Sequence, residues 1–417
     1  MQTAARARTA ALDNTLQQLW GAAVASGEFR LRRGSPPAPG WEPLRRLDVF
    51  PTTGRASMVV ERSSALSTAH ALMAYQGLRP RSRQVARLAT AAIAGARAVG
   101  PGPAVVLDRK ITVPTSREPL TAVGVALGHD VHAHIGVRRG ANAKATAQLF
   151  APDGTPVGYA KFAWNELTAS YVRTEARRLA AVDGRTGRFR TPHVLARGEV
   201  YEQPFLVTAP LPHGVRRLAR PGDLGVPELA RVAPLERRAP ARTSAALVDL
   251  CRRTGQMTDQ ALVQEVAAPA SAVLDHLMTL ETTVPIAQFD HGDLVPWNTC
   301  RAPDGTLWAW DWESSVEDVV AGTDALHWFL HAVHGPAPTD IVAATREAHI
   351  RATPTFRAIG MSRSAAHVAT AVFALATAER ACALARSHGT WARNRVGVRD
   401  ARELVALAQH HADGAAA

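Results

Sequence analysis

The segment that most restricts this chain runs from Gln288 to Glu313, where QFDHGDLVPWN leads into TCRAPDGTLWAWDWE. Pro303-Asp304-Gly305 is turn chemistry set between two short apolar runs, which predicts a tight hairpin. A tight hairpin brings its ends together. Asn298 and Asp311 then lie side by side at its mouth, with Asp293 just upstream. Two carboxylates and an amide oxygen around a small volume are hard donors that suit Mg²⁺, an ion that keeps several waters and shares itself with phosphate oxygens. Read singly, His-Gly-Asp is a polar turn and Asn298 a cap. Together, with each residue type near ~5% of usage, His-Gly-Asp followed by four residues and Asn arises by chance in under about one chain in a hundred of this length.

The rest of the chain must supply a fold for this segment. At 417 residues, 47% hydrophobic and 20% charged, it has the material for two or three domains with a sizeable core. No apolar run is expected to reach the roughly 18 residues of a membrane span. The N-terminal MQTAARARTAALDNTLQQLW has no apolar core or cleavage site and reads as mature cytoplasmic sequence. Cys251, Cys300 and Cys382 are too scattered for a disulfide framework or a metal site, which fits a reducing compartment. The net charge of +12 raises the question of nucleic acid. Residues 1–242 hold 35 Lys+Arg against 17 Asp+Glu, and residues 243–417 hold 13 against 19. The basic excess is spread over many segments and lacks the interleaved aromatics that stack bases, which disfavours a nucleic-acid partner.

Texture divides the chain into four stretches. Residues 1–40 read as a helical arm and a Pro/Gly linker. Residues 41–120 form an appended α/β region, with a strand at Ser57 to Glu61 and helices at Ser63 to Gln76 and Ser82 to Gly100. Residues 121–212 read as strands and turns: HAHIGVR, KATAQLF and PVGYAKFAW as a meander, a helix at Thr168 to Ala181, then HVLARGEV and QPFLVTAPL. Residues 213–417 open with a Pro-rich basic crossing to Arg242. They become mostly helical at Ser244 to Arg253, Asp259 to Leu280, Ala325 to Val333, Asp340 to Arg351, Ser364 to Ser387 and Asp400 to His411. The expected class is α+β: a small antiparallel-sheet lobe, then a larger helical lobe, with an N-terminal extension.

HGDLVPWN followed by WAWDWE resembles the catalytic segment of the aminoglycoside phosphotransferase and choline kinase-like families, which share the protein-kinase fold. The resemblance spans roughly residues 125–411. It implies ATP and Mg²⁺ as cofactors and a small-molecule acceptor, with Asp293 as catalytic base and Asn298 and Asp311 as metal ligands. The protein-kinase pattern has Arg after the His and ends its metal motif in Phe-Gly; Gly292 and Trp312-Glu313 here point to small-molecule kinases. GTDALHWF resembles the helix whose aspartate, here Asp324, braces the catalytic loop, with His291 as a supporting residue. The proline usual after that glycine region is absent.

Such a fold needs a cation in its sheet lobe. Only three of the 48 basic residues are lysines, Lys110, Lys144 and Lys161. Lys161 lies in an apolar strand, where an unpaired ammonium is costly. Glu175, fourteen residues on, matches the family's helix glutamate that holds the strand lysine toward phosphate; Lys144 and Glu166 are the alternatives for this pair. The phosphate-covering loop falls at Arg138 to Asn142, with Arg138 and Asn142 toward the nucleotide, and the adenine linker near Thr208 to Leu211. The acids Glu313, Glu317 and Asp318 and the negative second half suggest an amine-bearing alcohol or aminosugar as acceptor; the equal alternative is that these acids only offset nearby arginines on a solvated surface. A catalytically silent nucleotide-binding regulator of the same fold is the other reading.

Overall fold

The computed structural model describes residues 2–53, 56–74, 78, 84–85, 88–93, 103–137, 145–182, 189–392 and 394–417. It forms two compact units, one of Met1–Asp183 with Thr191–Arg216, the other of Gly184–Arg190 with Arg217–Ala417.

The first unit is built on a nine-stranded antiparallel sheet. Its strands are β1 (Phe29–Arg32), β2 (Trp41–Phe50), β3 (Met58–Glu61), β4 (Ala104–Lys110), β5 (His132–Gly136), β6 (Thr146–Phe150), β7 (Pro156–Phe162), β9 (Val194–Val200) and β10 (Gln203–Thr208); β8 (Phe189–Arg190) belongs to the second unit. The order is β1-β4-β2-β3-β5-β6-β7-β10-β9. The N-terminal region is thus continuous with the sheet. β3, all four residues buried, pairs with β2 on one side and β5 on the other. The helix Gln2–Ala25 places Leu12, Leu16, Leu19, Trp20 and Ala23 at helical spacing in the core beside Leu47, Val59, Leu107 and Ile135. A buried polar knot fastens helix to sheet. Glu118 accepts from Trp20 Nε1 at 2.6 Å and from Arg45 Nε at 2.8 Å, and Arg45 also pairs with Glu61.

β2 and β4 had no strand signal of the alternating kind. β2 carries Glu42, Pro43, Arg45 and Arg46 in its first half, and its register with β4 shifts between Pro43 and Arg45. The opening of β2 gains its pairing from the neighbour strand.

The second unit is mainly helical: Val226–Val232, Ala245–Gly255, Gln264–Thr279, Thr323–His334, Ile341–Ala358, Arg363–His388 and Val398–Ala416. Arg363–His388 is apolar enough to cross a membrane by length and composition, but most of that window is buried as the core helix of this unit. After β11 (Arg216–Arg217), the stretch expected to be a crossing contains the helix Val226–Val232 and β12 (Leu235–Pro240). β12 pairs antiparallel with β13 (Thr283–Phe289), so its two arginines and its proline sit on a sheet edge where such residues are tolerated. β14 (Thr299–Arg301) and β15 (Leu307–Ala309) form the expected hairpin, and β16 (Glu317–Val320) returns to pair with β13.

Candidate active site

In the first unit, Lys161 and Glu175 meet. Lys161 stands on β7 between Thr146 of β6 and Leu206 of β10, so its side chain leaves the middle of the sheet. Glu175 projects from the helix Glu166–Val182. The ammonium donates to both carboxylate oxygens at 2.6 Å, with the Lys161 side chain 11% exposed and that of Glu175 2%. A bidentate charge-assisted pair at this burial fixes helix to strand. Glu166, the alternative partner, is exposed in the helix's first turn. Thr208 closes β10 at a register slip after Val207; Leu211 follows, partly exposed. A Cβ at Gly158 would lie 2.4 Å from the Thr208 carbonyl oxygen, so the glycine permits that approach. Arg138, Asn142 and Lys144 lie outside the described residues.

In the second unit, β13 delivers the chain into the loop Asp290–Asn298. Asp290 is buried; its carboxylate accepts from the Val316 N–H at 3.1 Å and the Thr323 hydroxyl at 3.2 Å. Asp324, in the first turn of the helix Thr323–His334, accepts from the N–H groups of His291 at 2.9 Å and Gly292 at 3.1 Å. Burial, and then repulsion from Asp290, pushes the Asp324 carboxyl well above the usual carboxylate range, against the pull of those two donors. His291, fully buried, donates through Nε2 to the Trp310 carbonyl at 2.9 Å and packs on Trp312, its ring centroid 4.4 Å away. Gly292 has φ +71°, and a Cβ there would fall 2.1 Å from the Ser314 carbonyl oxygen. Only glycine fits.

These contacts present Asp293, which is partly exposed. Asn298 donates through Nδ2 to the Asp293 backbone oxygen at 3.1 Å and to its carboxylate at 3.0 Å, leaving the amide oxygen as the acceptor end. The hairpin closes the constellation. Thr299 faces Ala309, the Trp310 N–H donates to the Asn298 carbonyl at 3.1 Å, and Asp311 follows one residue on. Asp311 is held at φ 64°, ψ 52°, a left-handed conformation uncommon outside glycine, at the position just before the short 3₁₀ turn Trp312–Ser314. Trp312 beneath it is fully buried, stacked on Phe189 of β8 at 5.6 Å.

The structure therefore brings Asp293, Asn298, Asp311, His291 and Asp324 together in one unit and joins Lys161 to Glu175 in the other. Three neighbours of Asp293 were not found by sequence reasoning. Arg380 donates to the Gly292 carbonyl at 3.1 Å from the helix Arg363–His388, and His331 and Trp297 meet edge to face, centroids 5.1 Å apart. Burial lowers the His331 imidazole pKa, and Arg395 and Arg380 lower it further against the opposing pull of Asp293. The one available signal was a glutamate-arginine step, Glu379-Arg380, in the apolar middle of that helix.

No family model matches the chain, and no curated protein sequence matches it. Among solved structures it is similar in fold to a putative fructosamine-3-kinase from Haemophilus somnus 129PT, at 11% identity and TM-score 0.45 over 69% of this chain and 96% of that one. It is similar also to an amicoumacin kinase solved with AMP-PNP and Ca²⁺ (10% identity, TM-score 0.39, 66% and 86%) and to a spectinomycin phosphotransferase solved with ADP (10%, 0.38, 71% and 97%).

Proposed function

We propose that this chain is an ATP- and Mg²⁺-dependent phosphotransferase that moves the γ-phosphoryl group to a hydroxyl of a small molecule. The observation that carries the reading is the bracing of Asp293. Its loop is clamped through two backbone N–H groups by Asp324, closed by a glycine at positive φ whose Cβ position the Ser314 carbonyl fills, and tied by Asn298 to the hairpin that presents Asp311. A polar turn of no function needs none of this.

In the proposed reaction the Asp293 carboxylate accepts the proton of the acceptor hydroxyl. The hydroxyl oxygen forms a bond to the γ-phosphorus as the bond to the ADP oxygen breaks. The Asn298 amide oxygen and the Asp311 carboxylate are hard donors suited to Mg²⁺, which supplies charge neutralisation on the phosphates when bound. Lys161, oriented by Glu175, is assigned to the nucleotide phosphates; Arg138 and Asn142 to covering them; Thr208 and Leu211 to the adenine side. The amine-bearing acceptor suggested by local acids loses one of its supports, because Asp318 is committed to Arg237 and to the Ala245 N–H.

The decisive experiment is Asp293→Asn. A base that acts only in the transition state contributes little to ground-state affinity, so transfer should fall by ~10²–10⁴-fold while ATP affinity stays within about threefold. Near-normal turnover by this variant would overturn the assignment. Asp311→Ala should abolish the Mg²⁺ dependence of ATP binding measured by calorimetry.

A further inference from the structure

Around Asp293 the second unit carries side chains that the scheme above does not use. Asp293, Trp297, His331 and Arg380 are each partly exposed, whereas His291, Gly292, Leu294, Val295 and Pro296 beside them are buried. This leaves a solvent-facing patch adjoining the carboxylate. Arg380 spends one N–H on the Gly292 carbonyl, the residue before Asp293, and makes no ion pair among the described residues. A guanidinium has five donors in a planar fork, so one such bond leaves most of the fork for another acceptor.

His331 Nδ1 lies 2.8 Å from the Gly335 carbonyl, which can only accept. The proton is therefore on Nδ1, and Nε2 carries a lone pair able to receive a hydroxyl hydrogen. The ring is backed by His327, which is buried with its own ring against Phe373 at 4.8 Å. Trp297, edge-on to His331, offers a flat apolar surface of the kind polyol rings stack on. Arg380 and Arg395, both cationic, act on the His331 imidazole against the pull of Asp293 and of the Gly335 carbonyl, and Arg380 acts on His327 as well. Asp324 is buried and bound by two N–H groups. Arg380 thus sets a cation beside the proposed base.

We propose that this patch is the acceptor subsite and that the acceptor is a hydroxyl compound carrying an anionic group. The apolar face of the acceptor lies on Trp297, a neighbouring hydroxyl donates to His331 Nε2, and the anion takes the open side of the Arg380 fork. A charge-assisted, bidentate contact of this kind selects anions over neutral and cationic analogues of the same shape. The inference rests on Asp293 being the base of a phosphotransferase, and it opposes the amine-bearing acceptor suggested by sequence alone.

The test uses the full chain and three compounds of one shape: glucuronate, glucose and glucosamine. ADP release with Mg·ATP gives kcat/KM, and calorimetry gives binding of each compound. Glucuronate is expected to exceed glucose by at least about tenfold in kcat/KM, with glucosamine last. Arg380→Gln keeps an N–H for the Gly292 carbonyl but removes the charge, and should collapse the glucuronate-to-glucose ratio at least about fivefold; Arg380→Lys should restore part of it. Preference for glucosamine, or a ratio unchanged in Arg380→Gln, overturns the subsite, since a purely structural Arg380 affects all three alike. Binding of glucuronate that depends on Arg380, with no ADP release from any acceptor, leaves the subsite standing and overturns phosphotransfer. Absence of binding by all three overturns the subsite.

Discussion

Gly292→Ala tests the loop from its tightest point. The added Cβ would lie 2.1 Å from the Ser314 carbonyl oxygen and 2.6 Å from its carbon, at φ +71°. A relaxed carbon–oxygen contact is about 3.3 Å, so the two backbones must part by roughly 1 Å, in addition to a left-handed strain of ~1–2 kcal/mol. The loop cannot move freely. The Gly292 N–H is held by Asp324, its carbonyl by Arg380, and Ser315 donates to the Asp290 carbonyl on the opposing strand. Losing one of these buried hydrogen bonds adds ~1–3 kcal/mol, for a total of about 2–5 kcal/mol. The same ~1 Å shift displaces the adjacent Asp293, which is worth on the order of 10²-fold in turnover if this carboxylate acts on the substrate. Urea denaturation and steady-state ADP release measure the two effects. A variant with wild-type midpoint and turnover would show that the loop is neither tightly packed nor tied to chemistry. Loss of stability with turnover intact would detach Asp293 from the reaction.

Glu175→Gln should destabilise the sheet unit by about 3–5 kcal/mol, because it leaves the Lys161 ammonium buried without its counter-charge, and should raise the KM for ATP; an unchanged denaturation midpoint would refute the pair's importance. Asp324→Ala removes the acceptor of two buried N–H groups, an expected loss of about 2–6 kcal/mol, and the amides of His291 and Gly292 should lose protection in hydrogen exchange. Stability should also depend on pH through the imidazoles of His349, held down to about 4 by burial and by His367, and His411, held down to about 3 by burial and its neighbour imidazoles. Both folded-state values lie below the ordinary 6.5, so the unfolded chain takes up protons first. The stabilisation is complete above about 6.5 and is lost as pH falls from there toward 4, at up to about 1.4 kcal/mol per pH unit for each group. His411→Gln should flatten that slope in thermal melts, and identical slopes would refute the assignment.

The sequence by itself determined the local chemistry. Pro303-Asp304-Gly305 encodes the hairpin between β14 and β15, so the chain was bound to return with Trp310 against Asn298 and Asp311 one residue on, whatever the rest of the fold did. The lone lysine in the apolar strand β7 demanded a carboxylate, and the next helix held few candidates. The α+β order followed from the change of hydrophobic period along the chain. What remained hidden was whatever depends on partners far along the chain. β2, with its proline and arginines, and β12, with two arginines and a terminal proline, are strands because β4 and β13 supply their ladders, and no local periodicity announces that. The nine-stranded sheet arose the same way, with β3 pairing across more than 70 residues to β5. Arg380 reaches Gly292 across 88 residues, and Asp324 reaches it across 32. Packing of the helical unit decides which of the many arginines faces the loop, because one guanidinium looks like another in sequence and differs only by which carbonyl the fold sets before it.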